Sequence, residues 1–198
     1  MIKFDYMHTN ATLQVMGRLV CDTQPYYPAV LTSVDDHTMG ESIWWAYSGF
    51  PQPATNGAVY LDLSAAENAS LKNLRVFYAD RGVTTPAATR RLDIWNSQFI
   101  DCQTAIEDQI DGGEDGLHNV LIAGCTTALR ASDNHCSFAA EHLTADVIHF
   151  WSAAIPPDRV GLTNSIVKGA LAGGSFLVNQ NSSLNPTGAV FQTVNVGN

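Results

Sequence analysis

An all-β solenoid of short parallel strands, about 23 residues to a coil, is the fold class this sequence predicts, and three observations predict it. Asn73, Asn96, Asn119, His142 and Asn164 recur at steps of 23, 23, 23 and 22 residues. Apolar residues repeat in phase with them: Leu71, Ile94, Leu117, Ala140 and Leu162 two positions before, and Val76, Phe99, Ile122, Ala145 and Val167 three positions after. Between these positions there is no helical period of 3.6 residues. A coil this short buries its inward side only by stacking on its neighbours, so each coil must present the same inward positions as the last.

The elements follow in order around the coil. Apolar residues on both sides of the ladder position imply two short strands, as in Leu71-Lys-Asn-Leu-Arg-Val76 and Ile94-Trp-Asn-Ser-Gln-Phe99. Asn tolerates left-handed backbone angles and bonds its own neighbouring amides, which suits the corner between those strands. Stacked from coil to coil, its side-chain amides can also bond along the solenoid axis. Six positions after the ladder, Ala79, Cys102, Cys125, Ile148 and Ala170 form a small or apolar column; ten after it, Val83, Ile106 and Leu129 mark a third strand. Cys102 and Cys125 should stack at the strand spacing of about 4.8 Å. In-register side chains that point the same way miss the disulfide dihedral, so two buried thiols are expected.

Residues 1–58 lack the ladder and read as irregular β coils with insertions leading into the coils of 59–198, all in one structural domain. Leu13–Val20 alternates like a strand, and Pro28–Thr32 is a second candidate. Gly49, Pro51, Pro53, Asn56 and Gly57 mark a long loop. An upstream coil uses Val59, Leu61 and Leu63, with Tyr60 lying 23 residues before Val83, and a weak last coil uses Val190 and Val194.

The ladder, with three strands per coil, resembles the right-handed parallel β-helix of the pectin-lyase-like superfamily, in which an asparagine ladder commonly occupies the tight turn between two of three sheets. The resemblance covers residues 71 to about 175 and implies a right-handed, single-stranded parallel β-helix, with no specific enzyme family matched. The leucine-rich repeat is the rival fold. It needs Leu at several fixed positions after which Asn follows, whereas Ser97 and Ser165 come directly after Asn here.

Composition narrows the function. Of 198 residues, 45% are hydrophobic and 15% charged, which argues against disorder for the bulk of the chain. Ten Lys plus Arg against nineteen Asp plus Glu give a net charge of −9, so nucleic acid is not an expected partner. No apolar run reaches the roughly 18–20 residues of a membrane span. The start, Met1-Ile-Lys-Phe-Asp-Tyr6, lacks a signal-peptide pattern, which leaves an extracellular or cell-surface location to a chain cut from a longer exported protein. Uncapped strand edges at the ends of the coils predict self-association or continuation into further coils.

The resembled superfamily binds polysaccharide along one parallel sheet through Asp, Arg, Lys or His. The matching face should follow the third strand, where Glu107, Asp108, Asp111, Glu114 and Asp115 cluster, followed by Arg130, Asp133 and His135. Glu107, Asp108, Arg130, Asp133 and His135 are therefore the catalytic candidates: two carboxylates to divide acid and base roles or to hold Ca²⁺, and an Arg to stabilise charge beside a uronic acid. Set against this, Glu107–Asp115 is expected to be a solvated, glycine-containing loop. Asp35-Asp36-His37 lies outside the recognisable coils, without the other elements of a polygalacturonase. His118, His135, Cys136, His142 and His149 match no zinc-ligand spacing, and no cofactor is expected outside Ca²⁺ in a lyase. Tyr26, Tyr27, Trp44 and Trp45 are candidate sugar-stacking residues. The leading expectation is a noncatalytic β-helix scaffold or carbohydrate-contacting module of a larger bacterial surface or exported protein. The alternatives are a polysaccharide lyase or glycoside hydrolase acting on acidic glycans, and an oligomerising fibre or spike module.

Overall fold

The computed structural model describes residues 1–5, 11–43, 51–55, 57–63, 68–85, 91–109, 114–131, 137–153, 159–171, 176–178 and 181–186. Among these the chain is all strand and turn, so no helix is long and apolar enough to cross a membrane. The strands are β1 (Ile2–Phe4), β2 (Leu13–Gln14), β3 (Ala29–Ser33), β4 (Val59–Asp62), β5 (Asn68–Lys72), β6 (Leu74–Phe77), β7 (Arg81–Thr85) and β8 (Arg91–Ile100). They continue with β9 (Thr104–Asp108), β10 (Glu114–Ala123), β11 (Thr127–Ala131), β12 (Ser137–Ala153), β13 (Arg159–Thr163), β14 (Ile166–Leu171), β15 (Phe176–Val178) and β16 (Ser183–Leu184). Every pairing between them is parallel, and the registers sort them into three sides of a solenoid. The first sheet holds β5, the opening halves of β8, β10 and β12, then β13 and β15. The second runs β1, β3, β6, through the latter parts of β8 and β10 and the middle of β12, to β14 and β16. The third runs β2, β4, β7, β9, β11 and the end of β12.

The ladder is the corner between first and second sheets. Asn73, Asn96, Asn119, His142 and Asn164 all have positive φ, between 49° and 56°, which is the left-handed region where Asn is among the few residues tolerated. Asn119 Nδ2 donates to Asn96 Oδ1 at 2.9 Å. The residue after the ladder adds a second link: Ser97 Oγ accepts from Leu74 N–H at 3.1 Å, and Ser165 Oγ accepts from Leu143 N–H at 3.0 Å. Each serine hydroxyl also donates to the carbonyl two residues earlier, Trp95 or Thr163, so a buried hydroxyl is satisfied on both sides.

Inward columns form the core. Leu71, Ile94, Leu117 and Leu162 on the first sheet, and Val76, Phe99, Ile122 and Ala145 on the second, are fully buried. Burying each large apolar side chain contributes about 1.5–3 kcal/mol. Where the columns narrow to Ala140 and Ala145, the same coil supplies Phe138, Phe150 and Trp151, with Phe138 and Trp151 meeting edge to face at 5.6 Å. Cys102 and Cys125 are free thiols buried in the corner between second and third sheets, as expected. Cys102 N–H donates to Cys125 Sγ, and burial pushes the Cys102 thiol well up.

Four expectations need correction. Ile148 is 63% exposed rather than part of the small-residue column. One residue is lost at that corner: Ile148 N–H donates to Cys125 O, as Thr126 N–H donates to Cys102 O, so Ile148 occupies the outward position of Thr126 and Val147 turns the corner. The same shortening leaves Ala170 exposed and Gly169 inside. Of Leu13–Val20 only Leu13–Gln14 is strand; past Val15, which donates to Asp62 O, the chain leaves the third sheet and Met16 and Val20 are exposed. Leu61 rather than Tyr60 pairs with Val83, and Tyr60 instead stacks on Phe4 at 4.1 Å.

At the far end Leu162 pairs with Val178 and Ile166 with Ser183, steps of 16 and 17 residues. Asn181, with φ 64°, donates to Asn164 Oδ1 and continues the ladder. Holding the period at 23 hides this shorter coil; Val190 and Val194 lie outside the described residues.

Candidate functional site

The acidic cluster sits where third-sheet strands lead into the next first-sheet strands. Strand alternation divides it, because successive side chains point to opposite faces. Asp108, in register with Thr85 and Ala131, points inward. Glu107, in register with Thr84 and Arg130, points outward. The two neighbours therefore serve different surroundings and do not converge on one point.

Asp115 belongs to an inward column that the sequence reading overlooked: Ala69, Leu92, Asp115, Phe138 and Val160, each four positions before the ladder. A carboxyl thus stands between Leu92 and Phe138 in the core, 1% exposed. Its Oδ1 accepts from Leu92 N–H at 2.9 Å, and its Oδ2 is buried with no hydrogen-bond partner among the described residues. Burial first, and the Asp108 charge second, push its pKa up to about 8, against the opposing pull of the Leu92 N–H. At neutral pH Asp115 is therefore mostly protonated. Asp108 is 1% exposed and accepts a 2.6 Å bond from Thr85 Oγ1.

Glu107 is also buried, but under charge rather than within the core. Arg81 Nη1 lies 3.2 Å from Glu107 Oε2, and Arg130 Nε lies 3.8 Å from Oε1. Arg81 reaches Glu107 across one coil and with its other terminal nitrogen donates to Gly57 O at 2.8 Å. Glu107, Asp108 and Asp115, at the two ends of the segment expected to be a solvated loop, are thus buried, while 110–113 lie outside the described residues. The inward columns run through this corner and take Asp108 and Asp115 with them, while Arg81 and Arg130 cover Glu107. Asp133 and His135, the other two catalytic candidates, lie outside the described residues, as do Asp111, Trp44 and Trp45.

The outward face of the first sheet carries a second polar group. Arg91 holds Asp93 through Nε and Nη2 at 3.0–3.1 Å. Trp95 and His118, in register on neighbouring coils, stack with centroids 3.8 Å apart, and His118 Nδ1 lies 3.8 Å from Glu141 Oε2. Gly116 makes this possible: a Cβ there would overlap the Asp93 carboxylate and crowd His118 Nε2 at 2.9 Å. Around the ladder corner a polar groove of about 280 Å³ follows the second sheet, lined by Asn96, Gln98, Asn119, Leu121, His142 and Thr144.

His118, His142 and His149 lie on the first sheet, at the ladder corner and on the third sheet, so they do not converge. No group of three His, Cys, Asp or Glu able to hold a metal occurs among the described residues, and His135 and Cys136 lie outside them. Asp36 is a turn acceptor, bonded by Thr32 Oγ1 at 2.7 Å, Thr38 Oγ1 at 2.6 Å and Thr38 N–H at 3.0 Å. Tyr26 and Tyr27 cover none of the core; they stand 92% and 78% exposed on the turn Gln24–Tyr27. That turn is fastened to the first ladder corner, where Asn73 Nδ2 donates to Thr23 O at 3.0 Å and Ala29 N–H to Asn73 O at 3.1 Å. Compared with family models, with curated proteins and with solved structures, the chain matches none.

Proposed function

We propose that this chain is a noncatalytic β-helix module of the pectin-lyase-like type, part of a larger bacterial surface or exported protein, which holds carbohydrate against a rigid solenoid. One observation carries the noncatalytic reading. Of the carboxyl groups that the sequence offered for acid and base work, the two among the described residues, Glu107 and Asp108, are at most 4% exposed and bonded by the chain's own Arg81 and Thr85, and the neighbouring Asp115 is bonded by Leu92 N–H. A glycosidic oxygen would have to displace those partners to reach them, and a general acid or base must come within hydrogen-bond reach of its substrate.

The contact surface is the groove beside the ladder. Side-chain amides of Asn96, Gln98 and Asn119 supply both donors and acceptors along the groove, the pairing that sugar hydroxyls require. The Tyr26–Tyr27 turn adds a second exposed aromatic contact, of the rigid, amphipathic kind common in recognition surfaces.

The lyase or hydrolase alternative draws on a single feature, a buried Asp115 whose pKa is raised by burial and by the Asp108 charge, since a shifted carboxyl beside another is a mark of acid–base sites. One experiment separates the readings. The protein is incubated with neutral and uronic-acid polysaccharides, with and without Ca²⁺, following reducing ends and the ultraviolet absorbance of unsaturated products, with binding read in parallel on a glycan array. Binding without turnover, weakened by Gln98→Ala or Tyr26→Ala, is the expected result. Turnover that disappears in Arg130→Ala or Glu107→Gln would overturn the proposal.

A further inference from the structure

Outward on the second sheet runs a row of residues, Val30, Arg75, Gln98, Leu121 and Thr144, each in register with the next. It lies beside the ladder column of Asn73, Asn96, Asn119 and His142, with neighbouring rungs about 4.8 Å apart. From Gln98 onward this strip is the amide groove. Arg75 stands one rung before it. Its side chain is half-buried, and neither a hydrogen bond nor an ion pair engages the guanidinium among the described residues. By contrast, Arg81 and Arg130 lean on Glu107, and Arg91 holds Asp93. On its other side Arg75 meets Val30, three residues past Tyr27. The tyrosine turn is fixed to the same corner by Asn73 Nδ2 and by Thr23 Oγ1, which donates to Lys72 O at 2.5 Å. Neither the row nor the ladder column holds a carboxylate, although the whole chain has a net charge of −9. Glu141 stands at the far end, 3.7 Å from His142.

We propose that Arg75 is the anion subsite of one carbohydrate path, running from the Tyr26–Tyr27 turn along the second sheet to His142, and that its ligand is a polysaccharide carrying carboxylate or sulfate groups. This rests on the carbohydrate reading of the groove and deepens it. A half-buried guanidinium with no partner has given up part of its hydration and gained no bond in return. An anion brought by the ligand makes that loss good, and the planar fork offers it two parallel hydrogen bonds. One rung on, the amides of Gln98 and Asn96 take hydroxyls, and the exposed tyrosines before Val30 offer ring faces. Glu141 repels an anion from the opposite end, so the charged unit lies toward Arg75. An acidic peptide fits less well. Extended peptides gain affinity by pairing with an open strand edge, whereas β3, β6, β8 and β10 are each paired on both sides along this strip.

Titration of the full chain with matched glycans tests this. The probes are labelled oligogalacturonate and its methyl ester, which keeps the backbone and removes the charge, and sulfated dextran beside plain dextran. At least one charged form should bind about tenfold more tightly than its uncharged counterpart. Arg75→Gln should erase that difference while ester and plain-dextran binding and the melting temperature stay unchanged. Arg75→Lys keeps the charge without the fork and should recover only part of it, and Arg91→Gln, which removes the same charge from the first sheet, should change nothing. The anion that shows the Arg75-dependent gain identifies the ligand's chemistry. Should Arg75→Gln lose its fold, the unmodified protein decides: phenylglyoxal labelling of Arg75, mapped by mass spectrometry, should be blocked by the charged oligomer and not by its uncharged form. Equal affinity for charged and uncharged chains, a folded Arg75→Gln that keeps its preference, a loss matched by Arg91→Gln, or labelling that no ligand blocks would each overturn the proposal. Uncharged-glycan binding that persists and weakens in Gln98→Ala would then leave the carbohydrate reading standing, whereas no binding by any probe removes both.

Discussion

Each full-length first-sheet strand runs between two corners of opposite character. At its end stands the ladder, where Asn73, Asn96, Asn119, His142 and Asn164 share nearly one φ value. At its start, Leu92 follows Thr85 in one coil, Asp115 follows Asp108 in the next, and Phe138 follows Ala131 in the third. The first corner is a backbone problem solved identically on each rung. The second is crossed by five residues on each of these rungs, yet its inward position holds Leu92, Asp115 and Phe138 in turn, so what is buried there is settled one rung at a time. Periodicity therefore reveals the corner that shapes the solenoid and hides the one that holds its unusual chemistry.

The largest effect should come from challenging the ladder backbone. Asn119→Val places a β-branched residue at φ 54° and removes the amide bond to Asn96, a loss of about 2–4 kcal/mol in urea unfolding. Asn119→Gly keeps the backbone accessible and should cost about 1 kcal/mol or less. Equal losses from the two substitutions would mean that left-handed geometry is not what the corner selects.

At the opposite corner, Glu107→Ala strips the buried partner of Arg81 and should cost about 1.5–3 kcal/mol. Its outward counterpart, Asp93→Ala, breaks an ion pair in which Arg91 is 60% exposed and should cost about 0–1 kcal/mol. If the order is reversed, burial does not distinguish the two acidic groups.

Asp115 sharpens the comparison through pH. Its native pKa of about 8 lies above the ordinary 3.8, so the folded state holds the proton more tightly than the unfolded chain. The resulting stability is fully present below the unfolded value and is lost as pH rises through about 8. Asp115→Asn keeps an acceptor for Leu92 N–H and adds no charge. Its melting temperature relative to the unmodified protein should climb steadily between those two limits; a difference that is flat with pH would place the carboxyl outside the core.

The smallest effect belongs to the thiols. Cys102 and Cys125 should resist an aqueous thiol reagent until the protein unfolds, while the half-buried Cys21 reacts in the native state. Native reactivity equal at all three would contradict the packing of that column.

Much of the fold was legible because its constraints repeat. A corner that needs φ near 50° on each coil calls for Asn again and again, and an inward position calls for an apolar residue at the same step. Breaks in the step were not legible: losing one residue at Val147–Ile148 turns Ile148 outward, and only hydrogen bonding reveals it. The candidate site was legible in part. Arg130 lies against Glu107, as sequence proximity by coil implied, but Arg81 arrives from the preceding coil and carries no mark of its role. Asp115 had a signal, its place in the column of Leu92 and Phe138, which shows only once the period is extended four residues upstream of the ladder.

The sequence by itself determined the coil length, the three-sided stacking and the position of the left-handed corner, because backbone geometry and apolar burial act on every repeat alike. Only the tertiary structure decided that Asp108 and Asp115 lie inside, which arginine covers Glu107, and that Ile148 turns outward. Those outcomes depend on which side chains meet across coils, a property of neighbours in space that a single repeat does not encode.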